Sequence, residues 1–135
     1  MSDELITAEN VSKELLKSVF DAAFMEVSYD SDGDIMVKER CRCYVFPDKE
    51  QHRIWLLVRF DFKPTVGDYE KLACVNEINT NYLIVRAGVR GNVLQFTHDL
   101  SLDGGITRKA LVLLVKRFCS IPHDAVADYG KDLVE

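Results

Sequence analysis

Along this chain the apolar positions change their period from about 3.6 residues to 2 and back, and each change marks the boundary of an element. Val11, Leu15, Leu16, Val19, Phe20, Ala23 and Phe24 recur at helical spacing. Thr7 stands where an N-cap belongs, with Ile6 and Val11 placed as a hydrophobic staple, so the pattern predicts a first helix over 8–24. MEVSYDSDGDIMVKE then alternates around Asp32-Gly33. A three-residue loop at 31–33 with Gly33 left-handed pairs Tyr29 with Ile35 and Val27 with Val37, which keeps like residues on one face. The second strand of this hairpin is predicted to run unbroken to Phe46. Ile35, Val37, Cys41, Cys43 and Val45 share one face, Lys38, Arg40, Arg42, Tyr44 and Phe46 the other, and only Glu39 interrupts the alternation. In RIWLLVRFDF, Ile54, Leu56, Val58, Phe60 and Phe62 point inward and Arg53, Trp55, Leu57 and Arg59 outward. Pairing Val45 with Ile54 across 47–52 sets Tyr44 opposite Trp55 and Arg42 opposite Leu57.

The stretch TVGDYEKLACVNEINTNY, residues 65–82, reads as the central helix. At about 100° per residue, Tyr69, Leu72, Ala73 and Val75 form one arc, and Asn76 and Asn79 fall inside it. Two amides in an apolar arc need partners, and losing one costs about 1 to 3 kcal/mol, so the pair reads as structural. An Asn has no titrating proton with which to act as acid or base. LIVRAGVRGNVLQFTHDLSL then forms a hairpin about Gly91-Asn92, pairing Val89 with Leu94, Ala87 with Phe96, Val85 with His98 and Leu83 with Leu100. Thr107 caps a helix whose stripe is Ala110, Leu111, Leu114, Val115 and Phe118. Pro122 breaks or kinks it, a short further helix is predicted to Tyr129 with Gly130 as its stop, and the last residues are expected to fray. The fold class is therefore α+β: an antiparallel sheet of about five strands with flanking helices, in the order α-β-β-β-α-β-β-α.

Composition narrows the function more than the fold. At 135 residues the chain suits a single domain, 1–135, and 47% hydrophobic with 29% charged residues is ordinary for a globular protein. No run approaches the roughly 18 apolar residues of a membrane span. The acidic start MSDELITAEN lacks the basic, apolar pattern of a secretory signal, which implies a cytoplasmic location and four reduced cysteines. A net charge of −5 disfavours general binding of nucleic acid or anionic membrane.

Catalytic patterns are absent: there is no GxSxG, no phosphate-cradling glycine loop, no HExxH and no CxxC. Cys41 and Cys43 read as small core residues, and Cys74 and Cys119 as isolated ones. His98, alone among core-side positions in being polar, reads as a hydrogen-bonded core residue; His52 and His123 read as surface. Asp30, Asp32 and Asp34 have no EF-hand spacing and read as a solvated hairpin tip, so no metal or cofactor is expected. What is left is the outer sheet face, where Tyr44, Phe46, Trp55 and Leu57 stand among Arg40, Arg42, Arg53 and Arg59. The chain's own helices could cover it, a protein partner could, or aromatics among arginines could stack single-stranded RNA.

The element order, with DSDGDI in the first hairpin and VNEINTNY closing the central helix, resembles the YbjN domain family, itself similar in fold to the class I type III secretion chaperones. Asn76 and Asn79 match that family's pattern as they stand. The resemblance implies a non-enzymatic bacterial domain, often a homodimer, that binds peptide segments or regulates, and it brings no catalytic residues. A protein or peptide client is thus the expected partner, with Tyr44, Phe46, Trp55, Leu57 and Arg42 as candidate contacts. An RNA-binding module on the same face and an enzyme with a dispersed site around His98 are the alternatives.

Overall fold

The computed structural model describes residues 4–135; the first three residues of the acidic start lie outside them. Its elements are α1 (Lys13–Ala22), β1 (Glu26–Tyr29), β2 (Ile35–Lys38), β3 (Arg42–Asp48), β4 (Arg53–Asp61), α2 (Asp68–Asn81), β5 (Arg86–Arg90), β6 (Val93–Ser101), α3 (Arg108–Cys119) and α4 (Pro122–Tyr129). The strands form one antiparallel sheet in the order β1-β2-β3-β4-β6-β5.

Two predicted hairpins keep their registers. Tyr29 pairs with Ile35 and Val27 with Val37, with Gly33 at φ +82°. Val89 pairs with Leu94 and Ala87 with Phe96 about Gly91, which has φ +62°, but the ladder begins at Arg86–Thr97, so the predicted Val85–His98 and Leu83–Leu100 pairs lie outside it, beyond the positive φ of Ile84. Only Gly33 and Gly91 of these turns need the left-handed region, which a β-carbon makes costly.

The predicted long strand is in fact two. After Lys38 the chain reverses through 39–41, with the Glu39 amide donating to the Cys41 carbonyl at 3.0 Å. Ile35 then faces Val45 and Val37 faces Cys43. Because directly opposed residues share a face, the reversal leaves the apolar side of both halves intact, and the sheet gains a sixth strand. The β3–β4 register also differs from the predicted one, by two residues: Val45 faces Leu56, Tyr44 faces Leu57 and Phe46 faces Trp55. The strand continues through Pro47 and Asp48, and the Asp48 side chain accepts the Gln51 amide at 3.1 Å to set a shorter turn.

At the first helix the cap is Ser12, whose hydroxyl accepts the Leu15 amide at 3.0 Å. Thr7 exchanges backbone-to-side-chain bonds with Asn10 (2.8 and 3.3 Å) and closes a separate turn, while buried Ile6 bridges Ile106. Thr107 accepts the Ala110 amide at 3.0 Å as predicted, and Pro122 opens the short further helix α4, which runs to Tyr129 and stops at Gly130 as predicted. The C-terminus is held instead of frayed: Val134 bridges Phe62, and the Lys63 and Glu135 amides donate to Leu133 and Asp61 (2.7 and 3.0 Å).

One sheet face carries the core. Ile35, Val37, Val45, Ile54, Leu56, Val58, Leu94 and Phe96 are buried against Leu16, Val19 and Phe20 of α1 and Leu111, Val115 and Phe118 of α3. At about 25 cal/mol per Å2 of apolar surface, each such side chain contributes about 1.5 to 3 kcal/mol. α2 lies beside the edge strand β5, and α4 packs on α2. There the Tyr82 phenol donates to the Asp128 carboxylate, a bond that, with burial, pushes its pKa up to about 12.

The face that α2 buries is not the predicted arc. Lys71, Cys74 and Ile78 are buried, while Tyr69 and Leu72 are 84% and 61% exposed. Asn76 lies on the wet side, and its side chain makes no hydrogen bond among the described residues. Asn79 reaches the sheet: its amide donates to the Ala87 carbonyl at 3.0 Å and its oxygen accepts the Ala87 amide at 2.8 Å. It thereby satisfies both outward backbone groups of Ala87 on an edge strand, a place open to pairing with another chain. Lys71 extends the same attachment, its ammonium bonding the Gly91 carbonyl at 3.4 Å and lying 5.7 Å over the Phe62 ring.

Asn79→Ala is expected to lower stability by about 1 to 3 kcal/mol, because it orphans both groups of Ala87, whereas Asn76→Ala should leave the midpoint of a urea melt where it is. Equal losses at the two positions would show that Asn79 owes nothing to its contact with β5.

Candidate partner-binding face

The sheet face opposite the core is built from β3, β4 and β6, whose alternate residues point away from the helices. Phe46 stands opposite Trp55 and Tyr44 opposite Leu57, and on the other side of β4 Trp55 faces Asp99, Leu57 faces Thr97 and Arg59 faces Gln95. The two-residue register difference leaves every one of these side chains on the outer face and brings Phe46, not Tyr44, onto Trp55. The Phe46 and Trp55 rings stack with centroids 4.4 Å apart, and Tyr44 continues the row 6.0 Å from Phe46. Arg59 lies 5.2 Å over the Tyr44 ring. Contacts of these kinds contribute about 0.5 to 1.5 kcal/mol each and so favour this arrangement of the side chains.

The chain's own helices do not occupy this face. Hollows of about 390 and 380 Å3 open on it, and both are lined by strand residues alone, including Tyr44 and Arg59 in one and Trp55 and Leu57 in the other. Tyr44, Phe46 and Trp55 are half-buried, sheltered by one another and by neighbouring strands, and Leu57 is 9% exposed. Arg42 and Arg59 are exposed. Arg53 is held by two carboxylates, Asp48 at 3.3 Å and Asp99 at 3.2 Å. Arg40 leaves the group: it bonds Asp124 at 3.1 Å and the Ser120 carbonyl at 3.1 Å, which ties the 39–41 turn to α4. Lys38 and Arg90 belong on the outer side as well, Lys38 through its pairing with Arg42 and Arg90 through the hollow it lines with Trp55. Alternation in the sequence already marked Lys38; Arg90 needed the strand order.

Elsewhere the polar groups serve the fold. His98 donates its Nδ1 proton to the Ile84 carbonyl at 2.7 Å, holding a β-branched residue at φ +61° in the link from α2 to β5. A hollow of about 470 Å3 contains both His98 and Asp99, yet Asp99 is bound to Arg53 and no bond joins the two. Cys119, which the sequence left isolated, meets Cys41: the Cys41 thiol donates to the Cys119 carbonyl at 3.6 Å. Hydrogen bonding with the Cys119 side chain, and burial, push the Cys41 pKa well above the usual thiol range, so the thiol stays protonated and is a poor nucleophile. Asp30, Asp32 and Asp34 bring carboxylate oxygens within 4.8 Å of one another. One Asp30 oxygen accepts the amides of Asp32 and Asp34 at 2.9 Å each, and Asp34 pairs with Lys13 at 3.3 Å. This is the wiring of a tight turn. No helix among the described residues is long and apolar enough to cross a membrane.

Residues 12–127 match the YbjN family, described as "Putative bacterial sensory transduction regulator". The chain belongs to the YbjN family. The crystal structure of YbjN from E. coli, described as "a putative transcription regulator", superimposes with a TM-score of 0.76 at 15% identity, covering 98% of this chain and 99% of that one. The HopA1-SchA chaperone-effector complex contains a similar fold, with a TM-score of 0.56 at 13% identity over 87% of this chain and 91% of the other. No curated protein matches in sequence. The similarity to a type III chaperone places this YbjN-family chain in the α+β class that its element order predicts, with six strands where about five were expected. Family and fold fit a non-enzymatic binding or regulatory role.

Trp55→Ala should retain the far-ultraviolet circular dichroism of the parent, because the ring lies outside the core, while Leu56→Ala, next along the strand and fully buried, should cost about 2 to 5 kcal/mol. An unfolded Trp55→Ala protein would make the outer row part of the structural core.

Proposed function

We propose that this YbjN-family chain is a single, cytoplasmic, bacterial domain that binds a segment of another protein on its outer sheet face and works as a homodimer. The observation that carries the reading is the row Tyr44–Phe46–Trp55, stacked in place on a face over which two hollows are walled by strands alone. Aromatic side chains held rigid at the centre of a patch, with arginines around them, have the make-up of interface anchors. The chaperone-effector neighbour is consistent with a protein client. Asn79 supports the choice of the face over the sheet edge, since it already occupies the outward groups of Ala87 where an added strand would pair.

The homodimer rests on α2. Tyr69 and Leu72, three residues apart, present exposed apolar surface on one side of the helix, with Ala73 beside them. The small Ala73 beside these two large side chains leaves room for a second copy of the helix, and a self-complementary contact of this kind suits twofold symmetry.

Two experiments test the reading. Affinity capture from bacterial extract, followed by identification and resynthesis of the bound segment, should give a peptide whose affinity falls at least tenfold in Trp55→Ala, while Arg42→Ala has a smaller effect that fades with salt. Loss of binding in neither variant would remove the outer face from the function, and a salt-steep complex with single-stranded RNA would replace the client with nucleic acid. In light scattering the parent should keep a dimer mass at micromolar concentration and Leu72→Asp should be a monomer. A monomeric parent would defeat the dimer.

A further inference from the structure

The cations of the outer face are not evenly spread. Arg53, at the Phe46–Trp55 end of the aromatic row, is satisfied by Asp48 and Asp99. Beyond Tyr44, at the other end, Lys38 pairs in register with Arg42, and Arg42 and Arg59 line the same two hollows, one of which also includes Lys38. All three side chains are exposed, and none forms an ion pair among the described residues. Like charges set opposite one another across strands are mildly destabilising. The chain has 22 acidic residues against 17 basic ones, and among the described residues none forms an ion pair with this cluster. Arg59 is also held in place, since its guanidinium rests on the Tyr44 ring at 5.2 Å. A planar, oriented fork of donors is matched to a carboxylate.

We infer that the bound protein segment carries an aspartate or glutamate that docks on Lys38, Arg42 and Arg59, next to an apolar side chain that seats on the Tyr44–Phe46–Trp55 row. This rests on the outer face being the binding face and specifies what it recognises. The face is polar in one direction: carboxylates close one end through Arg53, and free cations leave the other open, so the segment has a single orientation. The step from the cations to the aromatic row is one residue pair along a strand, about 7 Å. A partner helix covers that step with an acid one turn, about 5.4 Å, from its apolar anchor, and an extended partner covers it with an acid two residues away. A nucleic acid fits less well. Glu39 and Asp61 stand in the walls of the same hollows, and Glu26 lies opposite Lys38. Successive phosphates would meet those carboxylates, whereas one side-chain carboxylate reaches the cations and stops.

The test is a titration of the nitrogen-15-labelled full chain with three synthetic helical peptides that carry Phe and, four residues away, Glu, Gln or Lys on an alanine-rich background, alongside an eight-residue oligouridine. The Glu peptide should shift the amides of β3 and β4 and bind at least fivefold more tightly than the Gln peptide, with the Lys peptide weakest. In Arg42→Gln/Arg59→Gln, checked for fold by circular dichroism, the Glu and Gln peptides should bind alike. Trp55→Ala should weaken both and keep their ratio. Equal binding of Glu and Gln peptides by the parent, with shifts still on β3 and β4, would overturn the acidic preference and leave the binding face standing. Shifts confined to other elements would overturn both, and tighter binding of the oligouridine would assign the cations to nucleic acid.

Discussion

The whole arrangement follows from the sheet having only one face greasy enough to receive helices. Along β2, β3, β4 and β6 the inward positions are Ile, Val, Leu, Cys and Phe almost without exception, and α1 and α3 supply Leu16, Phe20, Leu111, Val115 and Phe118 against them. Burying this set is the dominant favourable contribution to folding, and it can be achieved on one side only. The other side carries a smaller apolar patch, Tyr44, Phe46, Trp55 and Leu57, bounded by Arg42 and Arg59 at one end and Arg53 at the other, and no helix lies on it. A two-layer fold with a bare sheet face results.

An open sheet also exposes its edges, and one of them is closed by a side chain. Asn79 offers β5 an amide in place of a neighbouring strand, bonding both the N–H and the C=O of Ala87. The geometry resembles a single rung of ladder pairing, and it docks α2 at the same time as it blunts the edge. Lys71 adds a second attachment at the Gly91 turn, and the Tyr82–Asp128 bond carries α4 along with α2. The core side is thus covered and this edge is occupied at Ala87. The histidine and cysteine side chains fit the same account: His98 steadies the strained Ile84, and Cys41 is protonated and buried.

The sequence by itself determined which residues share a face. Period-two alternation assigns Tyr44, Phe46, Trp55, Leu57 and Arg42 to one side whether or not β2 folds back on β3, and whether β3 meets β4 at one register or at another two residues away, because both changes are even in the side-chain period. For that same reason alternation could not reveal either change. The reversal at 39–41 hides inside an unbroken pattern, marked only by Glu39, and the β3–β4 register depends on how Asp48 closes its turn. Helix phase was less secure in α2. That helix lies at the sheet margin and buries only a narrow stripe, so Lys71 goes in and Tyr69 and Leu72 stay out, against the ranking by hydrophobicity. What the tertiary structure alone decided is that the outer face stays uncovered and that its cations divide into a paired end and a free one. Both depend on which distant residues, Asp99 from β6 and the helices from either terminus, arrive beside β3 and β4 when the chain closes, and no local pattern encodes those meetings.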